Sequence, residues 1–131
     1  MARPKSDILR PTEAELDILN VLWRLGPSTV RQAHEHLRAA RDWQYSTTLK
    51  LMQVMAIKGL LKRDESERSH VYSPAVGREE TQRLLVGRLI DRVFGGSVRS
   101  LMLGALDAKR ASKRELAELR ELIEKQEREK K

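Results

Sequence analysis

A chain of 131 residues with a formal charge of +7 is long enough for one domain, or for a small domain followed by a helical appendage. Aromatic residues make up only 4% of it and charged residues 34%, so its core must be aliphatic, which favours helices over a large sheet. The absence of cysteine excludes disulfides, thiolate metal sites and cysteine nucleophiles.

Two helices are predicted in the N-terminal part of the chain. Residues 12–15 (TEAE) form a capping box, and Gly26-Pro27 ends the helix that this box opens, over about residues 13–25. Apolar residues recur at helical spacing within it and give one broad face that can be buried. Ser28-Thr29 can cap a second helix that runs to about Ala40.

A third helix is predicted from about Ser46 to Gly59, after a turn at residues 41–44. Beyond Gly59 the apolar pattern changes from helical to alternating, which predicts a strand at 60–63, a polar turn, and a second strand that stops at Pro74. Three helices followed by a hairpin is the order of a winged helix. The expected fold is therefore mainly α with a small β-hairpin.

Three short amphipathic helices are predicted in the remainder of the chain, over 77–94, over 97–107 and from Ser112 onward. They are too short to bury their apolar faces as an isolated unit, so we expect them to pair with a second copy of the chain. Residues 1–75 then form a winged helix-turn-helix domain and residues 76–131 a helical dimerisation region. The apolar residues expected at that interface are Leu85, Leu89, Val93, Leu101, Met102, Leu116, Leu119 and Ile123.

The distribution of charge favours double-stranded DNA as a partner. Residues 38–63 include six basic residues and one acidic residue. A recognition helix points its first turn into the major groove, where hydroxyl and basic side chains reach base edges. Ser46, Thr47 and Lys50 are predicted to approach bases, and Lys58, Arg63 and Arg68 to contact phosphates. A simpler alternative makes Ser46 only an N-cap and Lys50 only a solvated charge.

Enzyme, metal and membrane functions find little support in the sequence. His34 and His36 are two residues apart, on different sides of a helix, which favours surface side chains over metal ligands. Phosphate loops, nucleophile elbows and convincing acid pairs are absent, so we expect no catalysis, cofactor or metal. The basic N-terminus precedes no signal-like apolar stretch, and no apolar run approaches the roughly 18 residues of a membrane span. A cytoplasmic protein without membrane insertion is expected.

Three segments together carry a family resemblance. They are residues 12–15 (TEAE) followed by Leu22-Trp23, residues 45–49 (YSTTL) leading to 58–60 (KGL), and Arg68 followed by 71–74 (VYSP). In this order and at these spacings they resemble the penicillinase-repressor family (BlaI/MecI type) of winged-helix transcriptional regulators. The resemblance covers nearly everything from Pro11 onward.

This resemblance implies a homodimeric repressor on a palindromic operator. It also implies release from DNA when a membrane sensor protease, triggered by beta-lactam, leads to cleavage in the short C-terminal helix. The bond cleaved in the family is Asn-Phe, and the matching place here is Gly104-Ala105. Lys50 stands where family members commonly carry Thr, and Val54 where they carry Arg, so base preference is expected to differ.

A rival hypothesis comes from another functional class. A protein-interaction adaptor could keep the winged-helix scaffold without binding DNA. Three features favour it: the acidic residues of the predicted wing tip (Asp64, Glu65 and Glu67), a net charge of only +2 over residues 1–80, and the apolar C-terminal helices.

Overall fold

The computed structural model describes residues 10–130, so the basic N-terminal segment, for which no signal sequence is expected, lies outside the described residues. The chain divides into two compact units between Gly87 and Arg88. The first unit thus holds part of the helix that follows residue 75 as well as the predicted winged-helix residues.

Six helices and three strands are described over residues 10–130, which confirms a mainly α fold with a small antiparallel β element. In chain order they are α1 (Glu13–Leu25), β1 (Ser28–Thr29), α2 (Val30–Leu37), α3 (Tyr45–Lys58), β2 (Leu61–Asp64), β3 (Val71–Pro74), α4 (Arg78–Val93), α5 (Val98–Ala108) and α6 (Lys113–Glu129).

Helix starts follow the predicted capping chemistry. The Thr12 hydroxyl accepts from the Glu15 N–H at 3.2 Å, and the Glu15 carboxylate accepts from the Thr12 N–H at 2.9 Å. Thr29 and Gln32 repeat this reciprocal pair at the start of α2. However, α2 ends at Leu37 rather than near Ala40, and residues 38–40 form a turn in which the Leu37 carbonyl accepts from the Ala40 and Arg41 N–H groups.

A third strand, β1, was not predicted from the sequence. It pairs antiparallel with β3, placing Ser28 opposite Tyr72, and β3 pairs on its other side with β2, placing Arg63 opposite Tyr72. Two residues are too few to show the alternation by which a strand is recognised in a sequence. With β1 present, β3 is the central strand of the sheet, and its Tyr72 is buried in the core.

The core of the first unit lies between α1, α2, α3 and the sheet. It is aliphatic apart from Tyr72, as the composition requires, and Trp23 packs at its edge with the indole N–H donating to the Val76 carbonyl at 3.0 Å. The most completely buried apolar residues are Ile18, Leu19, Leu22, Ala33, Leu37, Met52, Met55, Leu60 and Tyr72.

A buried carboxylate joins the start of α1 to the end of α3. The Glu15 side chain is only 2% exposed, and its second oxygen lies 2.7 Å from the Lys58 ammonium. Both carboxylate oxygens therefore have partners, since the first accepts from the Thr12 N–H. Such a pair is costly to break from one side, because the remaining charge stays buried.

We predict that Lys58→Met lowers the free energy of unfolding by about 3 kcal/mol, because it leaves the Glu15 carboxylate buried without a cation. The double variant Glu15→Gln/Lys58→Met should lose less, since it buries no charge. Urea denaturation of both variants measures the difference. Lys62→Met is the matched control at an exposed position of β2, and a loss no larger than the control's would contradict a role for the pair.

In the second unit, helix starts again match the sequence. Ser97 and Ser112 cap α5 and α6, each accepting from a backbone N–H at 3.0 Å. Gly95 and Gly96 follow α4 with φ of 57° and 80°, a left-handed conformation that permits the chain to turn sharply. No residue of α5 or α6 is fully buried within the chain.

Candidate nucleic-acid interface

The first turn of α3 carries two hydroxyl side chains that are exposed to solvent. The helix begins at Tyr45 with Gln44 as its N-cap, and Ser46 and Thr47 are both exposed in the turn that follows. Ser46 is thus not the N-cap, and that alternative for its role is wrong. Lys50 is exposed one turn further on, so the three residues predicted to approach bases share the outer surface of α3.

A buried polar contact joins α2 to α3. The Nδ1 atom of His34 lies 2.8 Å from the hydroxyl oxygen of Thr48, which is fully buried, and the imidazole ring meets the Tyr45 ring edge-on at 5.6 Å. His34 is half-buried, whereas the sequence predicted surface positions for both histidines. A buried hydroxyl needs a hydrogen-bond partner, and this contact supplies one while holding the helix-turn-helix together.

His36 is exposed, and its Nδ1 atom lies 3.1 Å from the Gln32 carbonyl oxygen. Within the part of the chain that the structure describes, no group of three metal-ligating side chains is brought together. None of the described helices combines the length and apolar composition needed to cross a membrane.

A polar cleft of about 350 Å³ opens between the start of α2, the outer side of α3 and the hairpin. The Arg31 guanidinium lies over the Tyr45 ring, 5.1 Å from its centroid, at one wall. Arg68 and His70 of the hairpin stand at the other wall, so basic side chains from two elements face the same space. Sequence reasoning missed Arg31, because only the folded chain brings the start of α2 beside the hairpin.

An acidic side chain of the hairpin lies close to two of its basic residues. The Glu65 carboxylate lies 3.1 Å from the Arg63 guanidinium and 3.9 Å from the His70 ring. A hydrogen bond with the Tyr72 side chain and the charge of Glu65 both raise the pKa of Arg63 above its ordinary value. Hydrogen bonding by Ser66 lowers the pKa of Asp64, whose carboxylate accepts from the Ser66 N–H at 2.9 Å.

The predicted phosphate contacts differ in their availability. Arg68 is exposed and lines the cleft. Arg63 is exposed but bound to Glu65, and Lys58 is bound to the buried Glu15 at the far end of α3. A phosphate would have to compete with a carboxylate for either of them, so Arg68 is the best placed of the three.

The residues predicted for dimerisation present apolar surface on the C-terminal helices. In the second unit, α5 and α6 flank an apolar groove of about 570 Å³ that includes Met102, Leu119 and Ile123. Ile123 is 57% exposed and Val93 64%. Leu89 and Leu116 are also exposed, and Leu85, Leu101, Met102 and Leu119 are half-buried.

The Gly104-Ala105 bond lies inside α5. A β-carbon on Gly104 would lie 3.2 Å from the Phe94 ring, so glycine permits a close approach at this position. A protease could reach the bond only after local opening of this helix. Cleavage there stays a prediction.

Three packed helices, a small antiparallel sheet and an exposed hydroxyl-bearing helix start define a winged helix-turn-helix protein. Residues 11–125 match the model of the penicillinase repressor family, and the chain belongs to that family.

Individual relatives agree with this assignment. The chain is 38% identical over 85 residues to the transcriptional regulator BlaI of Mycobacterium tuberculosis, covering 64% of this chain and 59% of the relative. It thus matches about three fifths of that regulator's length. It is 24% identical over 114 residues to the methicillin resistance regulatory protein MecI of Mammaliicoccus sciuri, covering 87% and 93% of the two chains.

A solved structure supports the fold. The solution structure of the DNA-binding domain of the repressor BlaI superposes with a TM-score of 0.50 and 22% sequence identity. The match covers 56% of this chain and 89% of that domain, the proportions expected if the winged helix is the shared part.

Proposed function

We propose that this protein is a sequence-specific DNA-binding transcriptional repressor that acts in the cytoplasm as a homodimer on a palindromic operator. The observation that carries the proposal is the exposed start of α3 beside a cleft with basic walls. Membership of the penicillinase repressor family and similarity to regulators from other bacteria support it.

In this proposal α3 enters the major groove and the hairpin follows the sugar-phosphate backbone. Ser46, Thr47 and Lys50 meet base edges, where they determine sequence preference. Arg68, joined by Arg31 across the cleft, contacts phosphates and sets the register of the domain on the duplex. Two such domains in one dimer read half-sites about one helical turn, or a multiple of it, apart.

Titration of the full chain with random-sequence duplex DNA at two salt concentrations tests the proposal. A repressor should bind with a dissociation constant of about 10⁻⁴–10⁻⁶ M at physiological salt and more tightly at low salt, because binding releases counterions. The acidic residues of the wing favour the rival adaptor function, which predicts no salt-sensitive binding. Absence of such binding would therefore overturn DNA recognition in favour of the adaptor.

The same titration with Arg68→Ala tests the cleft. Loss of one phosphate contact should weaken binding to every sequence and reduce the slope of log affinity against log salt by about one unit. Arg24→Ala removes another exposed arginine, from the last turn of α1, and serves as the control. An unchanged slope for Arg68→Ala would rule out its phosphate contact.

Glu65→Gln should strengthen binding to all sequences by roughly threefold, because it removes a competitor for Arg63 and His70, and an exposed pair of this kind is worth up to about 1 kcal/mol. Glu67→Gln removes the same charge from the same turn and is the matched control. We expect the larger gain from Glu65→Gln in filter-binding titrations. Equal gains would show that only the net charge of the wing matters.

The homodimer is proposed from the apolar surface of α5 and α6. A groove lined by Met102, Leu119 and Ile123 has the apolar character of the core of a protein interface. The chain has no fully buried residue in either helix, so most of the apolar burial that would stabilise them must come from a partner. A second copy supplies an identical apolar surface and closes the assembly by two-fold symmetry.

Ile123→Asp should convert the dimer to monomers, because it places a charge in the apolar groove of each copy. Lys125→Asp inserts the same side chain two residues further along α6, outside the groove lining, and should leave association unchanged. Sedimentation equilibrium measures both. A dimer that survives Ile123→Asp would place the interface elsewhere.

A further inference from the structure

Ile57 occupies an unusual position on α3. Its side chain is 85% exposed, the largest fraction among the large hydrophobic residues described, and it lies in the last turn of α3, next to the final residue Lys58. Branched aliphatic side chains have only moderate helix propensity, and exposure forfeits the stabilisation that burial would give. Neither helix formation nor the core therefore accounts for an isoleucine at this site.

Ile57 lies on the same side of α3 as Ser46 and Lys50, which are proposed to contact base edges. Ser46, Lys50, Gln53 and Ile57 follow one another at intervals of four, three and four residues, which keeps them on one side of a helix. All four are exposed, while Thr48, Met52 and Met55 are buried on the opposite side. The four exposed residues are called the outer stripe below.

The surroundings of Ile57 indicate the chemistry of its ligand. A shallow groove of about 250 Å³ borders it, lined also by Gln53, Arg63 and Glu65. Because Arg63 is paired with Glu65 there, the groups left to meet a ligand are the apolar side chain of Ile57 and the amide of Gln53. The major groove of DNA offers a partner for each, because thymine carries a C5-methyl group and adenine presents N6 and N7.

We propose that Gln53 and Ile57 are specificity-determining residues, Gln53 pairing with an adenine and Ile57 contacting the C5-methyl group of a thymine. This inference rests on the proposed DNA binding. The outer stripe covers eleven residue steps, about 16 Å at the rise of an α-helix. Its two ends therefore face different base pairs of one segment in each half-site. Ser46 and Lys50 read one end of that segment, and Gln53 and Ile57 the other.

Chemically altered DNA tests the contact with thymine. A preferred duplex is first selected from a random pool by the full wild-type chain, and each thymine is then replaced singly by deoxyuridine, which lacks only the methyl group. At one position in each half-site the replacement should weaken wild-type binding by about fourfold, the value of one buried methyl group. Ile57→Ala should bind the unaltered duplex more weakly and lose sensitivity at that position alone.

Two further substitutions sharpen the test. Leu25→Ala shortens another exposed aliphatic side chain, at the end of α1, and should keep the wild-type response to deoxyuridine. Gln53→Ala should instead lose sensitivity to 7-deazaadenine, which lacks the N7 acceptor, at a neighbouring base pair. Wild-type binding should fall by at least about fivefold at that adenine.

Failure of this inference is distinguishable from failure of DNA binding. If the wild-type chain binds no duplex, both proposals fall. If it binds but Ile57→Ala keeps the wild-type response at every thymine, thymine recognition by Ile57 is wrong while DNA binding stands. A shift in sedimentation for Ile57→Ala with unchanged deoxyuridine responses would assign Ile57 to a protein interface instead.

Discussion

Burial of one side of α3 determines which of its residues can meet a ligand. Thr48, Met52 and Met55 face the core, so the helix cannot rotate without exposing them. Polar contacts hold the same helix near both ends, through His34 at its start and Glu15 at its last residue. A rigid element with a fixed rotation is what recognition of base edges requires, because reading contacts depend on side-chain direction to within a fraction of an ångström.

The basic residues of the first unit differ in whether an acidic residue neutralises them. Arg31 and Arg68 face an open cleft, whereas the nearby Arg63 is held by an acid of its own hairpin. Each additional phosphate contact releases counterions and so strengthens binding to every DNA sequence alike. A moderate positive charge therefore suits a DNA-binding protein that must dissociate from non-specific sites. In the proposed DNA complex, the acidic residues of the hairpin would reduce affinity for all sequences alike and leave discrimination between sequences to α3.

Features set by neighbouring residues were predictable from the sequence, and features set by distant ones were not. The capping box at Thr12 and the helix end at Gly59 depend on a few adjacent positions and were correctly predicted. The pair between Glu15 and Lys58 spans 43 residues, and that between His34 and Thr48 spans 14. Only a folded chain reveals such partners. The exposed hydroxyls of α3 were found because first-turn chemistry is local, whereas Arg31 was not.

Because α5 and α6 expose apolar surface, their stability can depend on protein concentration. If these helices are stabilised only by a second copy, their order is coupled to association by mass action, and resistance to heat rises with total concentration. Occupancy of a two-site target would then depend on roughly the square of the free monomer level. A modest dilution, as in a growing cell, would empty the target more sharply than it would for a monomeric binder.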